Sequence, residues 1–388
     1  MPKYTMHAEF PSYVAMDVHS RSIVMRGIDL TTGETRSRRV AGEVGGGDAV
    51  GWATSWLTGP VHFAYESGSC GFQLCRDIRG LGHSCDVIAV TSIPRSPEDR
   101  LLKDDRRDAQ RLLSEMTKVD SKLKTVYVPT TRVESLRDLT RARHDAVVAS
   151  RRSKQLVSSM LTRYGHVWNE RTRSGSLAET WTLRYVAWAR KVELAEPVAQ
   201  RTLRAYLDDA LEDVERLKRV GGLCLAEAQA PDVKPYVDAM SRLLGVDAVA
   251  ALTFYASMGD FERFGRGRAV PSYYGLVPKR GNSGEKRNRN GGITKAGDSL
   301  VRLVLAEGVG GGVPAAKTNT KARRRGAEVS EAVEREARKC NARNRSRYAD
   351  LVARGKPANV AKIAVASELA RDMWAIGRMV RRELAERK

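Results

Sequence analysis

A chain of 388 residues, 42% of them hydrophobic, is long enough to bury more than one core. Its 67 lysines and arginines stand against 46 acids, and the net charge of +21 implies an anionic partner, nucleic acid or an anionic membrane surface. No apolar run approaches the roughly 18 to 20 residues that cross a bilayer, the opening MPKYTMHAEFPSYVAM lacks the apolar core of an export signal, and the five cysteines form no CxxC pair, so membrane, secreted and zinc-bound classes are excluded and a reduced, cytoplasmic, nucleoid-associated protein is expected.

From Tyr13 the stretch YVAMDVHSRSIVMRGIDLTTGETRSRRV breaks short apolar runs at HSRS and TTGE, which predicts an antiparallel meander of three strands with Asp17 where the first ends. After a glycine-rich linker, VHFAYES is another short apolar run and stops at Glu66. GFQLCRDIRGLG predicts a helix with a glycine stop, HSCDVIAV a strand, and KDDRRDAQRLLSEM a helix opened by acids. Residues 11–130 therefore read as an α/β domain. Beyond Pro129, apolar residues recur at helical spacing between charges, so 131–240 is expected to form a helical, coiled-coil hairpin available for protein–protein contacts. Residues 241–388 mix short helices with glycine-rich basic loops, and PANVAKIAVASELARDMWAIGRMVRREL predicts an amphipathic closing helix, giving a mainly α carboxy-terminal domain.

Two readings compete for the acids. On a helix Asp105 and Asp108 lie three apart beside Arg106, Arg107 and Arg111, and exposed pairs of that kind contribute roughly 0 to 1 kcal/mol each. Together with Asp17 and Glu66 at strand ends, however, the same carboxylates suit one or two Mg²⁺ ions of the sort that stabilise a phosphodiester displacement. Further on, YYGLVPKRGNSGEKRNRNGGITKAG reads as a glycine- and asparagine-rich basic loop. Its Lys279, Arg280, Lys286, Arg287, Arg289 and Lys295 can neutralise phosphates that the glycines let approach the backbone. Ser283 lies inside it; a serine before a glycine is ordinary turn chemistry.

AMDVHSRS with Asp17, FAYESGSCG with Glu66, KDDRRDA with Asp105 and Asp108, and the basic block around Ser283 together resemble the DEDD-type insertion-sequence transposases, the bridge-RNA-guided recombinase family, over nearly the whole chain. That resemblance implies a ribonuclease H-like (RuvC-like) fold for 11–130 with Asp17, Glu66, Asp105 and Asp108 as Mg²⁺ ligands. It also implies a carboxy-terminal transposase domain whose Ser283 attacks DNA, donor and target DNA as substrates, and a structured non-coding guide RNA. A homo-oligomer, dimer or tetramer, follows from the same resemblance, with the two domains meeting across protomers. Asp104 stands where the family's motif carries a small polar residue. The residues alone leave two other readings open: a RuvC-like junction nuclease without a covalent serine step, and a non-catalytic nucleic-acid-binding protein whose acids cap helices and pair with arginines.

Overall fold

The computed structural model describes residues 4, 9–42, 45–94, 105–283, 286–313 and 329–387, and within these the side chains of 105, 106, 280–283 and 286–291 lie outside the description. The chain forms two compact units, Met1–Thr130 and Thr131–Lys388.

In the first unit β1 (Ser12–His19), β2 (Ser22–Asp29) and β3 (Thr35–Ala41) form the expected antiparallel meander, with His19 paired to Ser22 across a two-residue turn. Helix α1 (Gly46–Thr54) then carries the chain back so that β4 (Val61–Glu66) lies parallel to β1, and α2 (Gln73–Gly80) does the same for β5 (Ser84–Ile88) beside β4. Parallel neighbours need such crossovers, because a tight turn can only reverse a strand. The sheet order is β3-β2-β1-β4-β5. Alternation along the strands builds two cores. Val14 and Met16 face one with Phe63, Tyr65, Trp52 and Ile78, while Tyr13, Ala15 and Ala64 face the other with Leu112, Leu113 and Met116 of α3 (Asp105–Met116).

A carboxylate ties down the end of this sheet at which β1 begins. Asp29, 2% exposed at the end of β2, accepts from the amides of Thr31, Thr32 and Thr58 and from the hydroxyls of Thr31 and Thr58, so it joins the β2–β3 turn to the segment entering β4.

Among the described residues the second unit is mainly helical, with one strand pair and an isolated bridge between Arg171 and Leu177. Its helices are α4 (Thr131–Arg163), α5 (Leu183–Lys191), α6 (Pro197–Glu227), α7 (Lys234–Met240), α8 (Ala248–Met258), α9 (Ala269–Tyr273), α10 (Ser299–Gly312), α11 (Glu331–Ala353) and α12 (Ala358–Glu386). Helix α4, about 50 Å long at 1.5 Å per residue, runs antiparallel to α6. Arg132 at its start pairs with Glu227, the last residue of α6, and with Asp232 beyond it, whereas Val157, Met160 and Leu161 at its end pack on Ala199, Leu203 and Leu207. The larger core gathers α7, α8 and α10–α12 around Phe254, Phe261, Tyr274 and Met373. Under it, buried Asp372 of α12 accepts from Arg343 and from Asn344 Nδ2, the latter at 2.9 Å, both on α11. Among the described residues no helix is long and apolar enough to cross a membrane.

The threonine hydroxyls that donate to Asp29 hold its carboxyl well below the usual carboxylate range. A depressed folded-state pKa contributes stability that is present above the unfolded value of about 3.9 and is lost as pH falls toward the folded one. Denaturant titrations from pH 7 to pH 2 should therefore show part of the acid-induced loss of stability disappearing in Asp29→Asn, which should be the weaker protein at pH 7.

Candidate functional site

The register of β1 against β4 runs from Ser12 opposite Val61 to Met16 opposite Tyr65. One step further places Asp17 level with Glu66, the last residue of β4, on strands about 4.8 Å apart. Asp17 thus lies just past the parallel ladder, although β1 continues in its antiparallel pairing with β2 to His19. Strand alternation puts Asp17 on the face of Tyr13 and Ala15, and Glu66 on the face of His62 and Ala64. Both faces are the one covered by α3. On α3, Asp108 precedes buried Ala109 and stands one turn before Leu112; Asp105 opens the helix three residues earlier. Sheet register therefore sets Asp17 and Glu66 at neighbouring strand ends on the face that α3 covers, and Asp105 and Asp108 lie on that helix.

The partners of these acids are specific. Asp17 Oδ2 is 3.1 Å from His19 Nε2, two residues on and so on the same face of the strand. Asp108 Oδ1 accepts from Arg111 Nη1 at 2.8 Å, so the helical ion pair foreseen from the sequence is formed. With side chains 18% and 30% exposed, Asp17 and Asp108 remain within reach of solvent ions. Among the described residues no three histidine, cysteine or acid side chains form a group ready to hold a metal. The side chain of Asp105 and the whole of Asp104 lie outside the described residues. Oxygen-only carboxylate donors on neighbouring strands and one helix turn are a set that suits a hard cation such as Mg²⁺. His19 went unforeseen, and its signal was its spacing of two from Asp17.

The carboxy-terminal basic block differs from expectation, for its loop is a β-hairpin. Strands β6 (Pro278–Ser283) and β7 (Lys286–Ile293) pair antiparallel with irregular register, and Ser283, the last residue of β6, stands opposite Lys286. The pairing satisfies the backbone groups of a segment that has almost no apolar side chains to bury, and a ladder built on backbone bonds needs no hydrophobic alternation to form. Arg280, Lys286, Arg287 and Arg289 all fall on its strands, their side chains outside the description; Lys279 and Lys295 are exposed.

The foot of this hairpin is held tightly. Lys295 N donates to Gly275 O at 3.1 Å, Thr294 N to Val277 O at 2.9 Å, and Arg302 Nη1 to the carbonyls of Tyr274, Ala296 and Gly297. Gly275 and Gly297 both have φ of +66°, and a Cβ at either would lie 2.3 Å from Ala296 N or 2.1 Å from Tyr273 O respectively. Only glycine fits these two positions.

Residues 237–324, which include this hairpin and its foot, match the model of the transposase IS116/IS110/IS902 family. The chain is 36% identical over 322 residues to the putative transposase y4qE of Sinorhizobium fredii, covering 83% of this chain and 76% of that one. It is 25% identical to a probable family 20 transposase of Pseudomonas aeruginosa, covering 82% and 84%. A shorter stretch of 64 residues, 16% of this chain and 17% of the other, is 41% identical to the transposase for insertion sequence element IS1111A of Coxiella burnetii.

The hairpin foot makes a stability prediction. Gly275→Ala and Gly297→Ala should each lower the stability of the second unit by about 1 to 3 kcal/mol in chemical denaturation, through left-handed backbone strain and the backbone clash. Gly311→Ala, helical and with nothing near its added methyl, should be neutral or raise stability by up to about 1 kcal/mol.

Proposed function

Since the chain belongs to the IS116/IS110/IS902 family of insertion-sequence transposases, we propose that it cuts and rejoins DNA by pairing a carboxylate-held Mg²⁺ site in its first unit with a covalent serine step at Ser283. The observation that carries the first half is the register that sets Asp17 beside Glu66 on the face covered by α3. The mixed sheet, antiparallel on one side of β1 and parallel on the other, supports reading this unit as a ribonuclease H-like, RuvC-like domain. Asp17, Glu66, Asp105 and Asp108 would hold the cation. When bound, Mg²⁺ supplies charge stabilisation at the attacking and leaving oxygens of a phosphodiester displacement.

Ser283 takes the second part. Its Oγ forms a bond to phosphorus as the bond from phosphorus to the departing sugar oxygen breaks; the serine proton is lost and the departing oxygen gains one. The energy of the broken phosphodiester is thereby kept in a seryl ester until the hydroxyl of a new DNA end displaces the serine. A position at the end of β6, on a hairpin whose foot is locked to the core, supports this role, since strand exchange needs a nucleophile held in place while DNA ends change. Lys279, Arg280, Lys286, Arg287, Arg289 and Lys295 neutralise the backbone around it.

The same proposal includes a structured guide RNA and a homo-oligomer, dimer or tetramer. The net charge of +21 supports two polyanionic partners. Val148 and Leu156 on α4, with Leu223 and Leu225 on α6, are left exposed on the helical hairpin and support its use as a protein contact.

Two experiments test the two halves. Alanine at Asp17, Glu66, Asp105 or Asp108 should lower strand cleavage at least about a hundredfold while changing nucleic-acid affinity less than about tenfold, with Asp104→Ala much milder. Equal loss at Asp104 and Asp105 would shift the assignment by one residue, and unchanged cleavage in all four would leave the acids with the ion-pairing role that Asp108 and Arg111 illustrate. For the serine, denaturing electrophoresis of labelled DNA after incubation with Mg²⁺ should give a slow, protease-sensitive band in the native protein and none in Ser283→Ala, with a trace in Ser283→Cys. A band that persists in Ser283→Ala moves the nucleophile elsewhere, and cleavage without any such band marks a hydrolytic nuclease.

A further inference from the structure

Arg137, Arg141 and His144 are spaced by four and three residues, so they occupy one face of α4. With Asp145 they form one wall of a cavity of about 520 Å³ whose other walls are Ser257, Tyr273 and the stretch from Gly297 to Leu300. Tyr273 and Gly297 are parts of the two feet of the hairpin, so the cavity lies where the Ser283 strand pair is anchored.

The α4 wall presents two guanidinium groups to it. Arg137 donates through Nε to Ala256 O at 2.7 Å and through Nη2 to Ser257 O at 3.2 Å, which fixes the plane of its guanidinium without neutralising it. Among the described residues no carboxylate pairs with it. Burial pushes its pKa down, with smaller effects from Arg263 and Arg141 in the same direction and from Tyr273 and Tyr274 in the opposite one. Arg263 lies over the Tyr273 ring at 4.4 Å. Arg141 is 57% exposed and meets Asp138 only at 4.0 Å. Two acids line the cavity. Asp298 is committed to the start of α10, accepting from Leu300 N at 2.9 Å, Val301 N at 3.4 Å and Ser257 Oγ at 3.0 Å; Asp145 is the other.

We propose that this cavity is a phosphate subsite, in which one phosphodiester of the DNA strand acted on at the hairpin seats against Arg137, Arg141 and His144. The assignment rests on the reading of the hairpin as the DNA-reacting element. A guanidinium whose plane is already set presents its donors to a phosphate without further ordering. Because the cavity shares its walls with the hairpin foot, a phosphate held there sets the register of the strand relative to Ser283.

The test is a phosphate-by-phosphate scan. A labelled DNA duplex of one fixed sequence, carrying one neutral methylphosphonate at successive positions, is bound in the presence of the RNA that co-purifies with the protein to the full-length protein, to Arg141→Gln and to Arg151→Gln, an exposed arginine two to three turns along the same helix. In the native protein one position should lose about ten- to hundredfold in affinity. That loss should shrink to within about threefold in Arg141→Gln and persist in Arg151→Gln. Arg141 is used rather than Arg137, whose bonds also hold α4 to α8. A scan in which Arg141→Gln is as sensitive as the native protein at every position overturns the subsite and leaves the transposase reading intact. Coupling seen only on an RNA strand overturns the DNA assignment. Absence of any DNA binding overturns both. Coupling without a serine adduct would keep the subsite and remove only the assignment of Ser283.

Discussion

The parallel pairing of β1 with β4 is the constraint on which the first unit depends. A meander alone would leave β1 as the end of an antiparallel ribbon with one neighbour. The crossover through α1 gives it a second neighbour running the same way, and only then do the carboxy-terminal ends of two strands finish side by side. Two carboxylates set there repel each other, so their placement is unfavourable in itself. The apolar stripe of α3, Ala109, Leu112, Leu113 and Met116 on Tyr13, Ala15 and Ala64, provides the burial that offsets it. Packing thus carries the acids into position as passengers of a well-made hydrophobic interface.

The second unit is organised by α4, which belongs to two cores at once. Its first turns enter the large core through Leu136, and its last turns enter the small aromatic core near Tyr185 and Trp188. Arg132 closes the hairpin at one end by pairing with two carboxylates. Beneath α11 and α12 the buried Asp372 is satisfied by Arg343 and Asn344 together; losing Arg343 would leave its charge uncompensated in a low-dielectric interior, a far larger penalty than an exposed pair carries.

Much of this was visible in the residues. The three-strand meander, the run ending at Glu66, the acid-opened helix α3 and the closing helix α12 all announce themselves through local alternation, breakers and helical period. What stayed hidden was non-local. Nothing near Asp17 says that its neighbour across the sheet will be Glu66, because that depends on a crossover some forty residues long. The hairpin around Ser283 reads as a loop because the sequence of both its strands is polar, and such a sequence carries no apolar period of two to detect. The arginine face of α4 has a legible spacing, but Tyr273 and Asp298 across the cavity are more than a hundred residues away, so the spacing alone does not distinguish it from other stripes on a charged helix.

The way the hairpin is fastened has a consequence for its history. Its foot is held by main-chain carbonyls and amides, by two glycines in a left-handed conformation, and by the guanidinium of Arg302, which also grips carbonyls. None of those contacts reads a side chain of β6 or β7, although Ile293 at the end of β7 packs against the large core. The strand pair is in that sense a cassette in a standard socket: residues can be exchanged, added or removed above Pro278 and Ile293 while the seat below stays unchanged. A lineage can retune what the strand tips meet, and how far they reach, without renegotiating the core that carries them.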